Sequence, residues 1–274
     1  MKRRILALFL LFAGLFVPQA RADILMLVHG YLSGAHSWDN SAIIPALERH
    51  GWRRAGIFTT GPHGVRLIPA AGVNAAHKIY SIDLPSEAPV TLQAFQLREA
   101  LDSISRVHQD ETVYLVGHSA GGVVARAALV RGDSSNIKAL ITIASPHLGT
   151  WRAEQALDAT DIPFPFSLVT DFLGGETYHT AQRSRGLYVD LVRPRPGTLL
   201  FWLNQVPHPD ILYFSVIHSQ VASGSDDYIV PAYSQDMNNI PVMRGKSARI
   251  SLNAPHGLSP LDGTVIVNLL AGIQ

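Results

Sequence analysis

Residues 112–126, Thr-Val-Tyr-Leu-Val-Gly-His-Ser-Ala-Gly-Gly-Val-Val-Ala-Arg, place a short apolar run before Gly-His-Ser-Ala-Gly and a helix-compatible stretch after it. The run from Val113 to Val116 is typical of a parallel strand that is buried on both faces. Ala120–Leu129 is rich in Ala, Val and Leu and has no proline, which favours a helix. The stretch therefore predicts a strand, a sharp turn that carries Ser119, and a helix.

The two glycines that flank Ser119 have a steric explanation. A serine that projects from a sharp strand-to-helix turn needs small residues two positions before and after it, because a Cβ there would collide with the adjoining strand or helix. Gly117 and Gly121 stand at these positions. The alternative is a glycine turn with Ser119 as an ordinary polar residue. The predicted strand and helix on either side favour a nucleophilic serine.

Residues 1–22 have the pattern of a secretory signal peptide. Basic residues 2–4 precede an uncharged apolar run over residues 5–17, and Ala20-Arg-Ala forms an A-x-A cleavage site. The apolar run is shorter than the roughly 20 residues that a membrane span needs, and an uncleaved anchor is the alternative. We expect the mature chain to begin at Asp23 and to be secreted or periplasmic.

The composition of the mature chain excludes several classes of function. Removing residues 1–22 takes away four of the 22 basic residues and none of the 21 acidic ones, so the net formal charge changes from +1 to −3. No basic cluster remains that would indicate a nucleic-acid partner. The absence of cysteine excludes disulfides, a thiol nucleophile and a thiolate metal site. About 250 residues can bury one sizeable core, so we expect a single domain over residues 23–274.

Strand-like and helix-like segments alternate along most of the chain. Strands are predicted to begin near Asp23, Lys78, Thr112, Ile137, Ile211 and Ala248, and helices are predicted over residues 43–48, 91–107, 120–129 and 264–270. Residues 61–77 have no clear periodicity and are predicted to form a long surface loop or a small excursion. The alternation predicts an α/β fold with a mostly parallel sheet covered by helices on both faces.

Residues 151–209 interrupt this alternation with apolar stretches that are broken by proline and glycine. We predict a helical cap insertion with its own small core. The alternative is a mobile lid that hinges at Gly174-Gly175 and whose apolar underside lines an acyl-chain pocket.

A serine nucleophile needs a base, because its hydroxyl is protonated at neutral pH. In serine hydrolases with this turn the order along the chain is serine, acid, histidine. His256 is the only histidine among the last 50 residues, and it follows the last predicted strand. Asp226 and Asp227 lie in the loop after the strand that ends near Ile217, where parallel sheets build their sites. Asp227 is the predicted acid because it stands three residues before Val230 in Val-Pro; Asp226 is the alternative.

The anionic intermediate of acyl transfer needs two hydrogen-bond donors, which form an oxyanion hole. The N–H of Ala120, directly after the serine, is one candidate. The other should lie in the loop after the first strand, where Tyr31 N–H is the candidate and Leu32 the alternative. His29 is expected to hold that loop by hydrogen bonding rather than to transfer protons, and His118 and His147 are expected to pack or bond within their turns.

Five motifs together resemble the α/β-hydrolase superfamily, and within it bacterial lipases and lipid-ester deacylases of the inositol-deacylase type. They are His29-Gly30, Gly117-His-Ser-Ala-Gly-Gly, Ser145-Pro-His-Leu-Gly-Thr, Asp227-x-x-Val-Pro and His256-Gly-Leu. The resemblance implies a triad of Ser119, Asp227 and His256 that forms an acyl-enzyme with a lipid-like ester.

The chain also departs from that superfamily. The usual first strands are missing ahead of His29-Gly30, which implies a sheet reduced at its N-terminal side. Some secreted bacterial lipases bind a structural calcium, but no matching pair of aspartates surrounds His256, and Asp262 alone is too little. We therefore expect no metal and no cofactor.

These inferences predict a secreted serine hydrolase of carboxylic esters, most simply of lipid acyl esters. A short-chain carboxylesterase, a thioesterase or an acyltransferase would use the same residues. A non-catalytic binding protein of the same fold is a further alternative. The expected partner is a lipid or other ester substrate, with transient contact at a lipid interface and no nucleic acid.

Overall fold

The computed structural model describes residues 22–160, 175–219 and 227–273, with eight strands and ten helices in these ranges. The strands are β1 (Asp23–Val28), β2 (Arg53–Gly61), β3 (Gly64–Pro69), β4 (His77–Asp83), β5 (Thr112–His118), β6 (Ile137–Ile143), β7 (Leu212–Ser219) and β8 (Ser247–Asn253). The helices are α1 (Ser37–Asn40), α2 (Ile43–Arg49), α3 (Val90–Val107), α4 (Ala120–Leu129), α5 (Trp151–Thr160), α6 (Gly175–Arg183), α7 (Arg185–Leu191), α8 (Leu199–Leu203), α9 (Ala232–Gln235) and α10 (Pro260–Ile273). Residues 1–21 of the predicted signal peptide lie outside the described residues.

The strands form one sheet in the order β3-β2-β4-β1-β5-β6-β7-β8. Every neighbouring pair is parallel except β2 and β3, which form an antiparallel hairpin. All residues of β1 and β5 are buried, which explains their continuous apolar runs. The predicted mostly parallel sheet is confirmed.

The edge of the sheet beyond β4 has more strands than expected. Residues 61–77 form the β2–β3 turn, β3, a 3-10 turn at Ala71–Asn74 and the start of β4, so they are a small excursion rather than a loop. The β3 side chains are mostly exposed, so the alternation that marks a half-buried strand is absent. No described strand precedes β1, as the resemblance implied, but the sheet still has eight strands because the hairpin fills this edge.

Helices cover both faces of the sheet, as predicted. On one face, α3 and α4 pack in a core that includes Leu97 and Val123. On the other, α2 and α10 pack together in a second core that includes Trp38, Leu47 and Ile266. None of the described helices is both long enough and apolar enough to span a bilayer.

The segment predicted as a cap contains helices α5 to α8. Helices α5 and α7 pack against each other, and α8 contributes Leu200 and Leu203 to the same core as α4. Residues 161–174, including the first glycine of the proposed Gly174-Gly175 hinge, lie outside the described residues. A lid role for this segment stays a prediction.

Candidate active site

Ser119 occupies a strained turn between β5 and α4. Its backbone has φ of 51° and ψ of −126°, a conformation that a residue with a side chain rarely adopts. A Cβ at Gly117 would lie 2.6 Å from the Cα of Gly122, and a Cβ at Gly121 would collide with the carbonyl oxygen of His29. The steric explanation for the two flanking glycines is therefore confirmed.

Ser119, His256 and Asp227 form a continuous hydrogen-bonded series. The Oγ of Ser119 lies 2.9 Å from Nε2 of His256, and Nδ1 of His256 lies 2.6 Å from Oδ2 of Asp227. Since a carboxylate can only accept, His256 donates through Nδ1 and presents Nε2 as the acceptor for the serine hydroxyl. The structure thus brings together the three residues that the sequence selected, each from a loop at the carboxyl end of a strand.

Asp227 is buried and held as a carboxylate. Its Oδ1 accepts a hydrogen bond from Ile229 N at 2.8 Å. Burial acts to raise the pKa of Asp227, but the hydrogen bond and charge of His256 and the amides of Ile229 and Val230 outweigh it and lower that pKa. The charged form is therefore favoured beside the imidazole. The alternative acid, Asp226, lies outside the described residues.

Gln235 is a contact of Asp227 that the sequence analysis missed. Its buried side chain donates through Nε2 to Asp227 Oδ2 at 3.4 Å and to Val230 O at 2.8 Å. A single glutamine in α9 belongs to no motif, so no pattern in the sequence marks it.

The two candidate oxyanion donors lie beside the serine. Ala120 is the first residue of α4, so its N–H has no acceptor within the helix. Tyr31 lines the same cavity as Ser119 and Ala120, and its hydroxyl lies 2.5 Å from that of Tyr188 on α7. Leu32, the alternative donor, is exposed and has φ of 50°. The roles of Tyr31 and Ala120 stay predictions.

Two other histidines near the site hold backbone: His29 holds its loop by hydrogen bonding, as expected, whereas His118 bonds outside its own turn, contrary to the expectation. His29 accepts at Nε2 from Leu84 N at 3.0 Å and donates from Nδ1 to Gly30 O at 2.9 Å. His118 donates from Nε2 to the carbonyl oxygen of His256 at 3.0 Å. Burial, with the nearby His256, lowers the pKa of His118 to about 4, so this ring is neutral at neutral pH.

A cavity of about 290 Å³ opens beside Ser119, and its walls are mostly apolar. Helix α5 contributes Ala153 and Ala156 to these walls, and α7 contributes Leu187 and Leu191. We call this space the Ser119 cavity. A serine with a hydrogen-bonded histidine, two candidate amide donors and an apolar cavity together form an arrangement that can transfer an acyl group.

Comparisons with known proteins show what this fold is similar to. A family profile described as the PGAP1-like alpha/beta domain matches residues 89–162, which include β5, Ser119 and α4. A search of curated proteins finds no match.

Solved structures share the fold over nearly the whole chain. The product of gene lin2722 from Listeria innocua has a TM-score of 0.60 at 15% identity, covering 93% of this chain and 95% of that one. Lipase BlEst2 from Bacillus licheniformis, in its mature form, has a TM-score of 0.58 at 16% identity and covers 93% and 92%. Esterase EaEST from Exiguobacterium antarcticum has a TM-score of 0.51 at 14% identity and covers 92% and 91%. The chain has the α/β-hydrolase fold, and the resemblance that its motifs predicted is confirmed.

Proposed function

We propose that this α/β-hydrolase-fold chain is a serine hydrolase that cleaves carboxylic esters with an apolar acyl group. The observation that carries the proposal is the hydrogen-bonded series from Ser119 Oγ through His256 to Asp227, with Ser119 lining the Ser119 cavity. Lipases and esterases among the structural neighbours support the same reaction class.

The geometry supports a two-step reaction. Ser119 Oγ attacks the ester carbonyl while His256 Nε2 takes the hydroxyl proton, and the N–H groups of Tyr31 and Ala120 stabilise the oxyanion. His256 then returns that proton to the leaving alcohol, which departs and leaves an acyl-enzyme. Water deprotonated by His256 attacks the acyl carbonyl, and Ser119 recovers its proton as the acid is released. Asp227 holds the imidazole tautomer and stabilises the imidazolium in both steps.

The Ser119 cavity favours a fatty acyl chain as the group that enters it. Each buried methylene contributes about 0.8 kcal/mol, and the cavity walls contain few groups that would hydrogen-bond to a polar substituent. A lipid acyl ester is therefore the proposed substrate. We further propose that the signal peptide is cleaved before Asp23, so the enzyme acts in the periplasm or outside the cell; N-terminal sequencing of the exported protein should begin at Asp23.

Labelling with a fluorophosphonate probe tests the chemistry. Wild-type protein should be labelled, Ser119→Ala should not, and Ser103→Ala on α3 should be labelled like the wild type. Hydrolysis of p-nitrophenyl esters should then increase with acyl length. Activity on short esters alone would identify a short-chain carboxylesterase, and higher rates with thioesters or with added alcohol would identify a thioesterase or an acyltransferase. No labelling of the wild type would refute the proposed hydrolase.

A further inference from the structure

The side chain of His218, at the end of β7, is fully buried and bonded through both ring nitrogens. Nδ1 lies 2.7 Å from the carbonyl oxygen of Pro255, and Nε2 lies 2.7 Å from Oδ1 of Asp262. A carbonyl and a carboxylate can only accept, so the ring donates from both nitrogens. Beside an ionised Asp262, His218 is an imidazolium, and the pKa of His218, raised in spite of burial by its bond to and the charge of Asp262, favours this form.

Asp262 also binds the loop that carries His256, at a position after His256. Its Oδ2 accepts from the backbone N and from the Oγ of Ser259, at 2.8 and 2.9 Å. The pair thus fixes the chain at Pro255, one residue before His256, and at Ser259, three residues after it. His118 adds a further bond to the carbonyl of His256 itself. The imidazole that accepts the Ser119 proton therefore stands on a loop that is held on both sides.

The backbone of His218 is also connected to the acid. Its N–H donates to Gln235 Oε1 at 2.7 Å, and its carbonyl accepts from Gln235 Nε2 at 3.0 Å. The same Nε2 contacts Asp227 Oδ2 and the carbonyl of Val230. His218 on β7 is thus bonded to the base loop through its side chain, and its peptide groups bond to Gln235, which in turn bonds to the acid loop.

We propose that His218, with Asp262 and Gln235, is a positioning unit that sets His256 and Asp227 relative to each other for catalysis; this inference rests on the proposed function. His218 and Asp262 lie outside the reacting series, since the bonds of the His218 ring go to Pro255 and Asp262, whereas Gln235 is in contact with Asp227. It acts on rate through the geometry of the base, where a misplacement of about 1 Å can cost about 100-fold.

Because His218 can gain or lose a proton, the proposed positioning of His256 should depend on pH, which an uncharged hydrogen bond would not make it do. Burial alone would lower the pKa of His218, but the hydrogen bond and charge of Asp262, the carbonyl of Pro255 and the charge of Asp227 raise it above 6.5. His118, the other titratable group near it, is neutral at neutral pH. Replacing Asp262 by a neutral residue removes the largest favourable contribution, so burial should then lower the pKa and deprotonate the ring as the pH rises.

The test measures kcat per active site, with sites counted by fluorophosphonate titration, across pH. His218→Gln and Asp262→Asn should each lower kcat per site about 10- to 100-fold while KM changes little. Asp262→Asn should also show a new fall in kcat as the pH rises through the lowered pKa of His218, and this fall should be absent from the double variant His218→Gln/Asp262→Asn.

His108→Gln is the matched control. His108, at the end of α3, is likewise bonded to a carboxylate, with Nδ1 3.0 Å from Glu111 Oε1, but it precedes the amino end of β5, whereas Ser119 follows the carboxyl end. This variant should lose stability and keep wild-type kcat per site. His218→Gln leaves Asp262 and the start of α10 intact, so it carries the test if Asp262→Asn does not fold.

The inference and the proposed function fail in different ways. Wild-type kcat per site and a wild-type pH profile in both His218→Gln and Asp262→Asn would overturn the positioning role and leave the hydrolase in place. A wild type that neither reacts with the probe nor hydrolyses esters would overturn both. A loss in His108→Gln equal to that in His218→Gln would also overturn the inference, since it would show a general effect of stability.

Discussion

Ala156→Leu should shorten the preferred acyl chain. Ala156 is half-buried on α5 and lines the Ser119 cavity, so the three added carbons of leucine occupy space that an acyl chain would fill. Displacing about three methylenes at about 0.8 kcal/mol each costs about 2.4 kcal/mol, which is roughly 60-fold in kcat/KM. The loss should fall on the longest ester that the wild type accepts, and the acetate ester should be unaffected.

The assay is kcat/KM for a series of p-nitrophenyl esters from acetate to palmitate, with detergent at a fixed concentration. Ala159→Leu is the matched control, because Ala159 is exposed on the same helix. It should reproduce the wild-type series. An equal loss on all esters, or an unchanged optimum, would refute the argument that the acyl chain enters this cavity.

Four further predictions concern the candidate triad and its turn. Ser119→Ala should lower kcat by roughly a million-fold in an ester hydrolysis assay, and Asp227→Asn by roughly four orders of magnitude, because the base then loses its orienting acceptor; a silent Asp227→Asn would show that another residue is the acid. Gly121→Ala should lower the free energy of unfolding by about 1–3 kcal/mol in urea titration, because the added Cβ meets backbone oxygens of β1 and His29; wild-type stability would contradict the steric argument. Folding lowers the pKa of Asp227 below its ordinary value of 3.8, so the ionised carboxylate stabilises the folded state at pH values above 3.8. This stabilisation is lost as the pH falls from 3.8 through the pKa of Asp227 in the folded state. Urea titrations over this range should therefore show a shallower pH dependence in Asp227→Asn than in the wild type, and equal slopes would argue against it.

The turn around Ser119 could be predicted because its flanking strand, glycines and helix form one recognisable pattern. The need for Gly117 comes from contact with Gly122, five residues further on, whereas the need for Gly121 comes from backbone oxygens at the end of β1 and at His29. The order of serine, acid and histidine then limited the remaining choices to two aspartates and His256. This pattern and the chain order therefore led to the residues that the structure brings together.

Features that depend on distant contacts could not be predicted in this way. Strand β3 is recognisable only through its backbone pairing with β2, since its side chains are mostly exposed. In the sequence, His218 is indistinguishable from any other residue at the end of a strand. Its structural role depends on hydrogen bonds to Pro255 and Asp262, which lie further along the chain. From the sequence, Asp262 could be assessed only as a calcium ligand, whereas in the structure its carboxyl group pairs with the ring of His218.

Because β8 lies at the edge of the sheet, the candidate active site can be less stable than the central part of the fold. Among the described strands, β8 lies at the edge of the sheet and pairs only with β7, and most of its side chains are partly or fully exposed. Edge elements with few buried contacts open at a lower free energy than the central strands. Because the chain after β8 carries His256, local opening at this edge removes the proton acceptor while β1 and β5 stay folded. At low denaturant concentration, catalytic activity should therefore be lost before the molecule unfolds globally, and it should return when the denaturant is removed.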